Sequence, residues 1–401
     1  MDPTVGISSA STLDYLFSST ANSQDQLDGV ANSALSLGID LYTKKDYENA
    51  IKQFTLAAAL SPFSDNSSSA LDYKGKAYLQ LGKTDEAIKT YKEAISIYPT
   101  RDNFHVSLGD IYLQNGQESD AEKEYVAALR LDSNSADSRY ALGKVYLDSG
   151  RYSEAEAQFK VVTQLSPSSA SGYYGLGQVF RKSGDFSNAI AQLNKAIKAD
   201  KSFDSAVQEL GYTYFDMGDL DKAEEQVTIL SNKESTLAAN LVGYIYENSA
   251  PKIVLAYSPN GFMISKGAGT SVSSLDSSLS QPQVKKSFTM RFGFSKEMDT
   301  NSVQNPLNWG ISRASGINVG GAYNWGLSIP STEVSVGPLP DSVTYAPDTS
   351  SADVTFSVTQ NATGNGTIDP SHIMFQFSGI DAYGKAMDLT ADEYSNFSQI
   401  V

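Results

Sequence analysis

Only two histidines, His105 and His372, occur in 401 residues, and there is no cysteine. Thiolate zinc, iron–sulfur clusters, disulfides and cysteine nucleophiles are therefore excluded. A Ser-His-Asp relay or a histidine metal site would need side chains drawn from distant parts of the chain. His105 falls on a helical core pattern and His372 opens a strand pattern, so neither reads as catalytic. The patterns G-x-S-x-G, G-x-x-x-x-G-K-[ST] and H-E-x-x-H are absent. The carboxylates Glu297 with Asp299, and Asp381 with Asp388, have the chemistry of calcium ligands in loops. An aspartate in such a loop also fixes the turn through its own side chain, and that reading is preferred for Asp299 and Asp381. These residues predict no enzyme, no cofactor and no metal. What the chain has in quantity is interface chemistry, in 23 Tyr and 17 Phe.

The elements that would carry these rings follow from composition. A mass of 43.1 kDa exceeds what one hydrophobic core organises, so two or more domains or a repeat array are expected. The balance of 30 Lys+Arg against 46 Asp+Glu leaves −16, and no basic cluster tracks phosphates, which excludes nucleic acid and anionic membrane as partners. No run approaches the ~18 apolar residues of a membrane span, so no membrane insertion is predicted. Residues 1–29 are rich in Ser, Thr, Asn and Gln, lack the basic and apolar stretches of a secretory signal, and predict a flexible N-terminal segment. Residues 1–249 carry 22 basic and 34 acidic side chains and repeat near 3.6, whereas the last 152 carry 8 and 12 and alternate with period 2. Pro251 marks the expected boundary between helices and strands.

The helical part is periodic. Gly38, Gly75, Gly109, Gly143, Gly177 and Gly211 are separated by 37, 34, 34, 34 and 34 residues. Three residues after each come Leu41, Tyr78, Tyr112, Tyr146, Phe180 and Tyr214, and twelve after, Ala50, Ala87, Ala121, Ala155, Ala189 and Ala223. Small residues let the two helices of a hairpin approach closely, and the aromatic between them fills the space. Phe54, Tyr91, Tyr125, Phe159, Leu193 and Val227 sit four residues after each alanine and are expected to pack toward the next repeat. Gly82, Gly116, Gly150, Gly184 and Gly218 mark the turns, and Pro62, Pro99 and Pro167 end second helices. Ser153 with Glu156 predicts a capping box, and the extra residues near Asp65–Ser67 are expected to lengthen a loop.

This array resembles the tetratricopeptide repeat family, most plainly in LGKTDEAIKTYKEAISIYP and LDSGRYSEAEAQFKVVTQLSP, with six repeats over residues 31–237. The family's tryptophan is replaced by Ala34, Leu71, His105, Arg139, Tyr173 and Val207. Residues 236–249 repeat the first-helix pattern around Gly243 and are expected to cap the array. The resemblance implies a concave groove lined by the first helices, which binds a protein or peptide segment. Carried over by position, its lining is Ile39 and Tyr42; Asp72, Tyr73 and Lys76; Asn103, Val106, Asp110 and Gln114; Tyr140, Lys144 and Asp148; Tyr174, Gln178, Arg181 and Lys182; Gln208, Tyr212 and Phe215. Tyr140, Tyr174 and Tyr212 are the expected anchors, the alternative for any one ring being packing against a neighbouring helix. Some members grip a C-terminal carboxylate with paired Lys and Asn, but Leu35 and Ile39 hold the first two of those positions. The mixed lining therefore points to an extended or helical segment.

Beyond residue 250, Phe288, Met290, Phe292 and Phe294 alternate, as do Val354, Phe356 and Val358, and Ile373, Phe375 and Phe377, with KIVLAYSP as a first strand. Short strands between Gly, Pro, Asn and Ser clusters predict a β-sandwich. FGFSKEMDTNSV and FQFSGIDAYGKAMD resemble the F-S-x-x-M-D and S-G-x-x-D-x-x-G motifs of SbsA-type bacterial Ig-like domains, while Gly310–Pro340 is longer than that pattern. The resemblance implies a bacterial source and a spacer or adhesive module, in the cytoplasm or exported without a signal peptide.

The expectation is thus a multidomain chain, α then β. A flexible segment (1–29) precedes an α-solenoid of tetratricopeptide helix hairpins with a capping helix (30–249) and an Ig-like β-sandwich (250–401). Its expected function is a non-enzymatic scaffold that binds a protein segment in the groove, with the Ig-like domain as spacer or second contact. The alternative is an exported component or assembly factor of a bacterial surface or flagellar-type appendage. Strand edges and array ends permit self-association.

Overall fold

The computed structural model describes residues 9–315 and 322–395, which divide between Ala238 and Ala239 into two compact units. In the first, twelve helices pair as six hairpins: α1 (Ser9–Thr43) with α2 (Tyr47–Leu60), α3 (Asp65–Gln80) with α4 (Thr84–Ile97), and α5 (Asp102–Gln114) with α6 (Glu118–Leu131). The array continues with α7 (Ala136–Asp148) and α8 (Tyr152–Leu165), α9 (Ala170–Lys182) and α10 (Phe186–Ala199), and α11 (Asp204–Met217) and α12 (Leu220–Asn232).

The glycine and ring positions interlock. A Cβ on Gly38 would stand 2.5 Å from Phe54, on Gly75 2.5 Å from Tyr91, on Gly109 2.8 Å from Tyr125, on Gly143 2.7 Å from Phe159, and on Gly177 2.6 Å from Leu193. Each ring or leucine thus lies over the glycine of its own hairpin, and Phe54 and Phe159 also reach the next first helix, at Tyr73 and Gly175. Phe54, Tyr91, Tyr125, Phe159 and Leu193 are all buried, worth roughly 1.5–3 kcal/mol each, whereas Val227 is half-buried beside buried Gln226. Gly82 and Gly218 take φ of 69° and 91° in the turns, where a side chain would be strained.

Two local expectations, the lengthened loop and the capping box, are corrected, and two helices fall across the expected domain bounds. Ser9–Thr43 is one helix, because no Pro interrupts the chain there; of the segment expected to be flexible, residues 1–8 lie outside the described residues. The residues Asp65–Ser67 extend α3, which runs 16 residues with Ser64 accepting from Ser67 N–H as its cap. Ser153 lies inside α8, whose cap position is Arg151, so no capping box forms; Arg151 Nε instead bonds Glu154 at 2.9 Å. The helix expected to cap the array, α13 (Leu237–Asn248), falls in the second unit except for its first two residues. Lys296 holds it there, donating to the carbonyls of Tyr246, Glu247 and Ser249 at 2.5, 3.3 and 3.0 Å, where a cation also meets the negative end of the helix dipole.

The second unit contains β1 (Ile253–Tyr257), β2 (Thr270–Ser271), β3 (Lys285–Phe294), the short helix α14 (Thr300–Gln304), β4 (Trp309–Arg313) and β5 (Ser342–Ala346). It continues with β6 (Ser351–Thr359), β7 (Thr367–Ile368), β8 (Ile373–Phe377) and β9 (Glu393–Tyr394). Antiparallel sheets form in the orders β1-β3-β6-β5 and β4-β8-β9, with β2 paired to β7. The alternating residues of β3, β6 and β8 point into one core: Phe292 meets Trp309 and Phe375 at 5.2 and 5.5 Å, and Phe294 meets Phe377 at 5.4 Å. The two motif segments close beside each other, with Met298 bridging to Asp381.

Candidate interaction surface

First helices touch one another, α1 with α3, α5 with α7, α7 with α9 and α9 with α11, which makes one wall of the array. Side chains on this wall gather in two clusters. At the start, Tyr42 meets Tyr47 and Tyr73 edge-on at 5.3 and 5.8 Å, and Tyr73 stacks on buried Phe54 at 5.5 Å. Lys76 pairs with Asp72 at 2.7 Å and lies 5.6 Å over the Tyr73 ring. Burial raises the Tyr42 phenol above its ordinary value, which keeps it a neutral donor.

At the far end, Arg181 Nε bonds Glu209 at 2.5 Å and Nη1 bonds Asp216 at 2.8 Å, while its guanidinium lies 5.3 Å over Tyr212. Burial works against the Arg181 charge, but Glu209 and Asp216 outweigh it and hold the group cationic. Tyr174 accepts from Gln178 Nε2 at 3.0 Å and meets Phe203 edge-on at 5.0 Å. Beside Gln178, Arg181 and Glu209 a cavity of about 240 Å³ reaches Asp148 and Tyr152.

Between these clusters the lining is sparse. Tyr140 leans on Phe159 at 5.4 Å, Lys144 and Asn103 are exposed, and Asp110 accepts from the Tyr125 hydroxyl at 2.6 Å. Phe215 is half-buried on α11. Tyr140, Tyr174 and Tyr212 are likewise half-buried, each backed by a ring or guanidinium, so they combine packing with a partly exposed face. The sequence reading missed Glu209. Its signal was an acid two residues before the repeat glycine, where other repeats have Ser36, Tyr73, Ser107, Ala141 and Gly175.

The residues considered for chemistry are engaged otherwise. His105 Nδ1 meets Glu124 at 2.6 Å. Buried His372 turns one nitrogen, Nδ1, toward both Asp369 (2.7 Å) and Ser371 (3.0 Å). A nucleophile relay needs serine and aspartate on opposite ring nitrogens, so this cluster is not one. Asp299 caps α14 through Ser302 N–H at 2.6 Å. Asp381 accepts from Tyr383 and Lys385 N–H at 2.9 and 2.7 Å and pairs with Lys296 at 2.6 Å. Among the described residues no three His, Asp or Glu side chains converge as metal ligands, and no helix is long and apolar enough to cross a membrane.

Residues 75–116 and 177–218 match the family described as TPR repeat, and residues 106–170 the one described as tetratricopeptide repeat. No curated protein matches. Similar solved structures include a tetratricopeptide repeat protein from Parabacteroides merdae, 19% identical over 54% of this chain and 86% of that one, with a TM-score of 0.48. They also include PilW, described as a widely conserved type IV pilus biogenesis factor (17%, 53% and 98%, 0.46). A third is YrrB, described as a TPR protein with an unusual peptide-binding site (21%, 47% and 95%, 0.37). The matched residues and the interlocked hairpins agree that the helical unit of this chain contains tetratricopeptide repeats.

Proposed function

We propose that the helical unit is a non-enzymatic scaffold whose inner wall binds an extended or helical segment of a partner protein, and that the strand-rich unit is an Ig-like sandwich acting as spacer or second contact. The observation that carries the reading is the row Tyr140, Tyr174 and Tyr212. These half-buried rings are held from behind by Phe159, Phe203 and Arg181, and so lose little entropy when a ligand covers them. Acidic Asp72, Asp110 and Asp148 alternate along the wall with Lys76, Lys144 and Lys182, which favours a partner of mixed charge.

The test is a displayed library of segments from the source proteome, selected on the wild-type chain and on a Tyr140→Ala, Tyr174→Ala, Tyr212→Ala variant. A second variant, Asn103→Ala with Lys144→Glu, alters exposed positions alone. Circular dichroism checks that both stay helical. Loss of ~2 kcal/mol per anchor, about thirtyfold, is expected for segments selected on the wild type. Recovery of the same segments with unchanged affinity by both variants refutes the groove reading.

A further inference from the structure

The far cluster of the first-helix wall carries more acid than base. Glu209 Oε1 accepts from Arg181 Nε at 2.5 Å and Asp216 accepts from Nη1 at 2.8 Å, so one guanidinium serves two carboxylates. No hydrogen bond reaches the other oxygen of Glu209, Oε2, among the described residues, although that side chain is only 6% exposed. Gln178 is left in the same state: its Nε2 is spent on the Tyr174 hydroxyl, and its Oε1 accepts from no described residue. Glu209 and Gln178 both line the cavity of about 240 Å³, where an enclosed acceptor gains most from a charged donor.

Asp148 lines the same cavity and is exposed. It is the last residue of α7, where the free helix carbonyls already make the potential negative and an acid is disfavoured. No cation offsets it. Neither Lys144, one turn back on α7, nor Lys182, the last residue of α9, forms an ion pair with it. Arg181 and Lys182 thus face Asp148, Glu209 and Asp216, and the site is left with an excess of negative charge.

We propose that this cavity is a subsite for a lysine side chain of the segment bound by the first-helix wall, an inference that rests on the groove reading and gives it a specificity. An ammonium carries three N–H donors and no acceptor, which matches Glu209 Oε2, Gln178 Oε1 and the Asp148 carboxylate, and its charge offsets the excess acid. The acceptors come from three helices, α11, α9 and α7, an arrangement that suits a compact ammonium better than the planar fork of arginine. Leu147 and the Tyr152 ring supply wall for the methylenes, and at roughly 30 Å³ per water the cavity has the volume of about eight waters, enough for this side chain.

The probes are fluorescein-labelled dodecapeptides selected on the wild-type chain from a displayed random library, each resynthesised with every Lys in turn replaced by norleucine and titrated by anisotropy into the full chain. One norleucine exchange is expected to weaken binding about tenfold in the wild type and less than about twofold in Asp148→Asn and in Glu209→Gln, since each variant has already removed a partner of the ammonium. Glutamine at 209 keeps an oxygen for Arg181, and circular dichroism verifies that it stays helical. Asp148→Asn is expected to melt at or above wild type at 222 nm, because an acid leaves a helix C-terminus, which separates its part in binding from any part in folding. The proposal falls, and the groove reading stands, if peptides lose affinity in the Tyr140→Ala, Tyr174→Ala, Tyr212→Ala variant while no norleucine exchange exceeds about twofold, or if the loss on exchange is as large in either carboxylate variant as in the wild type. Both fall if no selected peptide binds below about 1 mM, or if the tyrosine variant leaves affinity unchanged.

Discussion

A glycine does two different things in this chain, and its neighbours decide which. At Gly143 a methyl group would stand 2.7 Å from the ring of Phe159, and one at Gly175, on the other side of the same ring, would stand 2.5 Å from it. The ring has no room on either side. Gly143→Ala is therefore expected to destabilise the helical unit by ~1–3 kcal/mol although alanine is the better helix former, seen as a lower urea midpoint at 222 nm. Gly243 in α13 has no atom within 4 Å of a Cβ, so Gly243→Ala gains propensity and is expected to stabilise by up to about 1 kcal/mol. Both glycines head the same first-helix pattern. Sequence periodicity thus marks the positions, and the opposed signs follow from the ring that covers one and not the other.

At the scale of elements, α13 shows how a local pattern and a tertiary anchor can disagree. Its sequence, LAANLVGYIYEN, reads as a seventh first helix, yet its last carbonyls are held by buried Lys296 from the F-S-K-E-M-D segment. Lys296 lies 5.0 Å from the rings of both Tyr246 and Tyr383, and its partner Asp381 is fully buried. Lys296→Met leaves that carboxylate without a cation and is expected to cost about 3–5 kcal/mol. The chain's two tryptophans, Trp309 and Trp325, both lie beyond residue 250, so their fluorescence reads the strand-rich unit. The tryptophan melt is expected to drop while the first unit's far-ultraviolet transition stays in place. An unchanged tryptophan melt would show that the pair contributes nothing there.

Across the whole molecule, charge is organised differently in the two units. Of the eight basic residues after residue 250, six (Lys252, Lys285, Lys286, Arg291, Lys296 and Arg313) stand within 4.0 Å of a carboxylate. Among those carboxylates Asp276 is held at about 2, below its ordinary 3.8, by hydrogen bonds from the Ser278 hydroxyl and N–H and from Lys286. A depressed carboxyl contributes stability above pH 3.8 that is lost as pH falls toward 2. Tryptophan-monitored stability should decline over that window, and Asp276→Asn should flatten the decline. A variant that tracks wild type through the window would remove Asp276 from the account.

The sequence by itself determined the repeat. Glycine, alanine and ring positions recur in phase because hairpins stack through nearest neighbours, so the pattern of each is written locally. It likewise determined the inward faces of β3, β6 and β8, since strand alternation is a local rule. The tertiary structure alone decided which unit takes α13, that Arg181 draws in Glu209 and Asp216, and that Ile311 of β4 meets the Pro338 carbonyl. Each depends on groups brought together from distant positions, Lys296 with Tyr246, Arg181 with Asp216, Ile311 with Pro338. No periodicity encodes such meetings, because they are set by how folded faces dock and not by the spacing of residues along one element.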